Sequence, residues 1–171
     1  MPGATGGQIV RAIVGVMGSG DPRSPRLAAA RSLGRLLAAQ GWIVLTGGRA
    51  SGIMDAAARG AKEVEGSLTI GILPDDGPPS PAIDIPIRTG LGQARNNVNV
   101  LTSDVIVAVG LESPGTLSEV ALAVKAAKPV VLLAASSAAR AFLEQLEGAD
   151  VHHADSPEAA VAIVATLLAR R

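Results

Sequence analysis

Cysteine is absent from the 171-residue chain. That removes disulfides, thiolate metal sites and cysteine nucleophiles together. Tyrosine is absent too, and Trp42 and Phe142 are the whole aromatic complement. The chain therefore offers no base-stacking platform for single-stranded RNA or DNA. Excess charge of either sign is missing: 15 Lys and Arg balance 15 Asp and Glu. This leaves no electrostatic case for nucleic acid or an anionic membrane as partner. No apolar run approaches the ~20 residues of a membrane span. Met1 to Gln8 is small and Gly-rich, without a basic region followed by a long apolar run. No signal peptide is expected, and the expected location is the cytoplasm. His152 and His153 are adjacent; neighbours on a strand point to opposite faces, so no metal site is expected of them.

What is present is apolar and regularly interrupted. Hydrophobic residues make up 48% of the chain, the balance of a globular protein with a real core. Residues 1–8 read as a flexible N-terminus and 9–171 as one domain, since no composition break divides them. Short β-branched runs read as strands at 9–17, 42–45, 68–73, 83–87, 105–109, 130–133 and 151–153. Helical spacing fills the intervals. The first helix is expected from Ser24-Pro25, an N-cap followed by proline, to Gln40, with Gly41 as its stop. Further helices are expected at 53–65 with Ser51 as cap, at 93–102, from the Pro114-Gly115 loop to Ala127, at 136–146, and from Ser156-Pro157 to the C-terminus. Strands alternating with helices predict an α/β, Rossmann-like fold: a parallel sheet with right-handed crossovers and helices on both faces. In such a sheet ligands bind at the carboxyl ends of the strands.

Three Gly-containing loops fall at such ends. Gly18-Ser19-Gly20 permits either close approach to a ligand or a tight strand-to-helix turn. It is not the dinucleotide fingerprint, because the third glycine position is Arg23. Gly47-Gly48-Arg49 offers backbone N–H groups and a cation ahead of a helix, an anion nest. Glu112 to Glu119 joins a buried strand to an Ala-rich helix, and free N–H groups at a helix start bind anions. Thr116-x-x-Glu119 also fits a capping box, in which both side chains serve only the helix itself. Arg95, at a helix start with Asn96, Asn97 and Asn99 nearby, is a candidate for holding a phosphate. Neither a Walker lysine nor a Gly-x-Ser-x-Gly elbow is present.

Several segments together carry a resemblance. Gly47-Gly48-x-x-x-Gly52-Ile53-Met54-Asp55-Ala56-Ala57-Ala58-x-Gly60-Ala61, Thr69 to Pro74, Ala94-Arg95-Asn96 and Pro114-Gly115-Thr116-Leu117-Ser118-Glu119 occur in this order. The set resembles the Lonely Guy (LOG) superfamily, long mislabelled "lysine decarboxylase". The turn Thr89-Gly90-Leu91 and the Gly-Thr-Leu-Ser-Glu ending are closer to its molybdenum-cofactor carrier branch. In the PGGxGTxxE signature, the glycine pair falls on Glu112 and Ser113, and the leading proline on Leu111.

The resemblance implies a binding protein for a phosphorylated pterin or nucleotide, with molybdopterin or a nucleotide as ligand and no required cofactor. The alternative it implies is a nucleoside 5′-monophosphate phosphoribohydrolase, with Arg95 and Glu119 as the catalytic pair. Gly18, Ser19, Gly47, Gly48, Arg49, Gly115 and Thr116 would hold the phosphate or the rest of the ligand. It further implies a homodimer or homotetramer. Decarboxylase chemistry is not expected, since no site for pyridoxal phosphate is recognisable.

Overall fold

The computed structural model describes residues 11–170. The flexible N-terminus and the first residues of the opening strand expected from the sequence lie outside them. The described chain runs β1 (Ile13–Gly18), α1 (Leu27–Ala39), β2 (Ile43–Thr46), α2 (Gly52–Ala61), β3 (Thr69–Leu73) and β4 (Ile85–Arg88). It continues through a 3₁₀ turn at Gly92–Ala94 into α3 (Arg95–Thr102), β5 (Val105–Val109), α4 (Pro114–Lys125), β6 (Val130–Leu133), α5 (Ser137–Glu144), β7 (Val151–Ala154) and α6 (Pro157–Leu168). All pairings are parallel, in the order β4-β3-β2-β1-β5-β6-β7. The chain winds outward from β1 to β4, then returns to lay β5 on the other side of β1. A crevice opens at that reversal, above the carboxyl ends of β1 and β5.

Alternation along the strands feeds two cores. Val105, Val107 and Val109 face one layer with Val14 and Val16, under Leu33 and Leu37 of α1, Ile53 and Ala57 of α2, and Val164 of α6. Ile106 and Ala108 face the other, with Met17, Leu45 and Leu132, under Val100 of α3, Val120 of α4 and Leu143 of α5. Each fully buried Val or Leu contributes about 1.5–3 kcal/mol over an exposed one. Helices α1 and α2 cross closely because two glycines meet the partner's backbone. A Cβ at Gly34 would run into the Ala57 carbonyl, and one at Gly60 into the Arg31 carbonyl. Among the described residues, no helix is long and apolar enough to cross a membrane.

Several expected boundaries move. Helix α1 begins at Leu27, with Arg26 in the cap position. Ser24 and Pro25 form a turn instead, in which the Ser24 hydroxyl accepts from the Arg26 N–H at 3.3 Å. Arg26 is drawn away from a regular first turn because its Nε donates to the Ala134 carbonyl, 3.2 Å, and its Nη2 pairs with Glu112, 2.6 Å. Helix α2 ends at Ala61, before the expected 65, and Lys62 leaves it to bind Asp84 at 2.9 Å. Ser51 does not cap α2 with its side chain; its hydroxyl donates to the Gly20 carbonyl at 2.7 Å. Strand β4 lies at 85–88 rather than 83–87.

Candidate functional site

The crevice holds a cavity of about 420 Å³. Gly18 and Gly20 reach it from the end of β1 and the loop after it, Arg49 and Ser51 from the loop after β2, Met54 from the first turn of α2, Arg95 and Asn96 from α3, and Ser113, Gly115, Thr116 and Glu119 from the start of α4. Six of the nine residues expected from the sequence therefore line one space: Gly18, Arg49, Arg95, Gly115, Thr116 and Glu119. Gly47, Gly48 and Ser19 do not.

Gly47 sits under the site. A Cβ there would collide with the Arg95 guanidinium and the Met54 sulfur, so its missing side chain is the space in which Arg95 lies. Gly48 has φ +77° and packs against Gly71 of β3; it serves sheet packing. Ser19 turns into its own loop. Its hydroxyl accepts from the Asp21 N–H at 3.1 Å, and its carbonyl accepts from the Ile53 N–H at 2.9 Å at the start of α2. Arg49 stays exposed and pairs loosely with Asp75 at 3.4 Å.

Arg95 is the charge at the centre. It is 7% exposed, and its Nε and Nη1 have no hydrogen-bond partner. A buried guanidinium with idle donors is costly unless an acceptor arrives. Burial pulls its affinity for a proton down; the nearby Glu119 carboxylate opposes this, while Arg49 adds to it.

Glu119 is 4% exposed and does not fold back on its own helix. Its Oε1 accepts from Asn99 Nδ2 at 2.8 Å. Burial raises its carboxyl above the usual glutamate range, against the opposing pull of the Asn99 hydrogen bond and the Arg95 charge. The capping-box reading of Thr116 and Glu119 is thereby overturned. The cap of α4 is Ser113, whose Oγ accepts from the Thr116 N–H at 3.1 Å. Pro114 at the first helical position explains the choice, since its fixed φ and missing N–H suit that place.

Glu112 leaves the site. It is held by Arg26 at 2.6 Å and accepts from the Leu111 N–H at 3.1 Å. Glu112 is not among the residues that line the cavity. His152 and His153 lie on β7 at the far edge of the sheet, where they pair with Asp150 and Glu144 respectively, each at 2.8 Å.

Two glycines on the cavity wall are not explained by the fold. Gly20 has nothing within 4 Å of a Cβ, and Gly115 has only the Ser113 Oγ at 4.0 Å. Neither has a positive φ. Every other described glycine has a left-handed φ or a neighbour that a Cβ would press against. Glycine is a poorer helix former than alanine, so Gly115 is retained in the first turn of α4 without a packing or turn requirement of the chain itself. Space on the open side of both residues, beside an unpartnered arginine, fits a ligand that approaches the backbone closely. The sequence offers close approach to a ligand as one reading of the Gly18-Ser19-Gly20 loop without singling out Gly20, and it places Asn99 beside Arg95 without pairing it to Glu119. The role of Ser113 as cap is not anticipated. Pro114 after Ser113 was the available signal for that cap.

The chain resembles several known proteins in sequence and fold. The molybdenum cofactor binding protein from the phototrophic bacterium Rippkaea orientalis is 46% identical over 94% of this chain and 99% of its own, with a TM-score of 0.88. The Moco carrier protein from Chlamydomonas reinhardtii is 49% identical over 95% of this chain and 100% of its own, with a TM-score of 0.89. An uncharacterized protein of Archaeoglobus fulgidus is 38% identical over 121 residues, 70% of this chain and 78% of that protein. The profile of the SLOG cluster4 family matches residues 11–161. On that match, and on a doubly wound sheet shared from end to end with the two cofactor proteins, the chain belongs to the SLOG cluster4 family.

Proposed function

We propose that this chain is a binding protein for a phosphorylated pterin or nucleotide, similar to the molybdenum-cofactor carriers, acting as a single cytoplasmic domain and as a homodimer or homotetramer. The observation that carries the reading is Arg95: a buried guanidinium whose Nε and Nη1 have no partner, on the wall of a cavity. Its fork suits a phosphate oxygen pair. The Gly115 N–H at the start of α4 adds a donor on the same cavity, where the helix end favours negative charge. The identity to the two cofactor proteins supports a pterin as the cargo.

The cargo would be held through its phosphate and its edges. The chain has no thiolate, and neither histidine is near the cavity, so it would bring no side chain of those kinds to the metal. A larger groove of about 860 Å³ runs between α3 and α4 and shares Gln93, Asn96 and Gly115 with the cavity, which leaves room for a ring system beyond the phosphate.

One observation keeps the phosphoribohydrolase reading in play. Glu119 faces the cavity rather than its own helix, and burial raises its carboxyl. A carboxyl so placed can hand a proton to, or take one from, a reacting centre in the cavity. In that reaction the N-glycosidic bond breaks, water supplies the new oxygen, and base and ribose 5-phosphate leave.

One set of measurements separates the two. Purified protein is titrated with molybdopterin and with AMP, and free base is measured after incubation with AMP. The carrier reading expects binding without base release, and loss of binding in Arg95→Met. The hydrolase reading expects base release that disappears in Glu119→Gln while AMP binding persists. Failure to bind any phosphorylated ligand sinks both.

A further inference from the structure

We propose that Ser113 is an internal competitor for the anion, a side chain that occupies the helix-end donors a phosphoryl group would otherwise take. The inference rests on the phosphorylated-ligand reading above. The first N–H groups of a helix have no partner within the helix and point out of its end. In α4, Pro114 has no N–H. The Thr116 N–H is taken by the Ser113 Oγ at 3.1 Å, and the Leu117 N–H by the Ser113 carbonyl at 3.0 Å. The Thr116 hydroxyl is engaged as well, 2.7 Å from the same Ser113 Oγ. The N–H of Thr116 is therefore bound to the hydroxyl that its own side chain also contacts, and Gly115 carries the remaining N–H of that turn.

The second observation is the buried Arg95, which is 7% exposed with two idle donor atoms and lines the cavity together with Ser113, Gly115 and Thr116. An anion drawn to Arg95 meets a helix end that is already capped. The Ser113 Oγ stands in front of the Thr116 N–H, in the place of a phosphate oxygen. A charged acceptor makes the stronger hydrogen bond, but it must first displace the hydroxyl. Ser113 thus limits the backbone donors that this turn offers a phosphate to Gly115, and ligands must draw the rest of their affinity from Arg95 and from contacts beyond the phosphate.

The test is Ser113→Gly, since glycine is tolerated at a cap nearly as well as serine. Inorganic phosphate and AMP are titrated calorimetrically into both proteins, and backbone amide shifts are followed by NMR. The expected result is roughly threefold to tenfold tighter binding of both probes in Ser113→Gly, the yield of one further bond to a charged acceptor less the lost cap. The Thr116 amide, silent in the natural chain, should shift with phosphate in the variant. Ser113→Thr keeps a capping hydroxyl and is expected to bind as the natural chain does. Equal or weaker binding in folded Ser113→Gly overturns the proposal and makes Ser113 a plain cap or a ligand donor. If neither protein binds phosphate or AMP, the phosphorylated-ligand reading falls and this inference falls with it.

Discussion

At the scale of single residues, the site is built from groups that the fold alone would not keep. Gly115 lies in the first turn of α4 with open space where a side chain would be. Gly115→Ala is expected to stabilise the chain slightly, by at most about 0.5 kcal/mol, since a first-turn position feels only part of helix propensity, and to weaken phosphate or AMP binding at least tenfold. Thermal melts and titration of the same variant check the two halves together. A variant that is both more stable and fully binding would show that nothing approaches that backbone. Glu119 makes a second prediction. Burial raises its carboxyl in the folded chain, so the folded form holds that proton more tightly than the unfolded one. Its favourable contribution is complete below the ordinary glutamate range and is lost as pH rises through the folded-state value. Glu119→Gln removes this loss. Its stability relative to the natural chain should grow as pH rises from the ordinary glutamate range through the raised folded-state value, as read from urea midpoints. An unchanged difference across that window would contradict the burial account.

At the scale of elements, the closest packing is the crossing of α1 and α2, where Gly34 and Gly60 each face a partner carbonyl. Gly34→Ala is expected to cost about 1–3 kcal/mol through overpacking, although alanine is the better helix former. Because α2 also carries Met54 against Gly47, the same change should loosen the seat of Arg95 and weaken anion binding. A stabilised Gly34→Ala would refute the close crossing.

The elements themselves were largely legible in the sequence, because period-2 and period-3.6 apolar patterns reflect burial directly. The caps were less so, and the Ser-Pro pairs show why. Ser156-Pro157 and Ser113-Pro114 each start a helix with serine as cap, whereas Ser24-Pro25 makes a turn two residues short of one. The local chemistry is the same in all three. The difference lies in Arg26, which is claimed by Ala134 and Glu112 from the other half of the chain. Likewise Gly20 and Gly115 look like any other glycines in the sequence. Only the surroundings of each Cβ distinguish a ligand-facing glycine from one that makes a turn. Gly47 and Gly48 were read as one anion nest, yet the first makes room for Arg95 and the second for Gly71.

At the scale of the whole molecule, the sheet reverses its winding between β1 and β5, and the cavity spans that junction. Its walls come from opposite halves of the chain: Gly20, Arg49 and Ser51 from the first, Arg95, Gly115 and Glu119 from the second. Val14 pairs with Val105, a contact that closes a loop of about ninety residues and so forms slowly. A growing chain that has emerged as far as β4 can lay down four parallel strands, yet its β1 edge stays unpaired and its pocket lacks the arginine and the whole floor of α4. Affinity for a phosphorylated ligand should therefore be absent from a fragment ending at Arg88. In refolding it should return only in the phase that zips β5 onto β1, later than the far-ultraviolet signal of the first helices. Binding is then a readout of completed topology: a cargo added during synthesis has nothing to hold it until the second half of the protein has closed over the first.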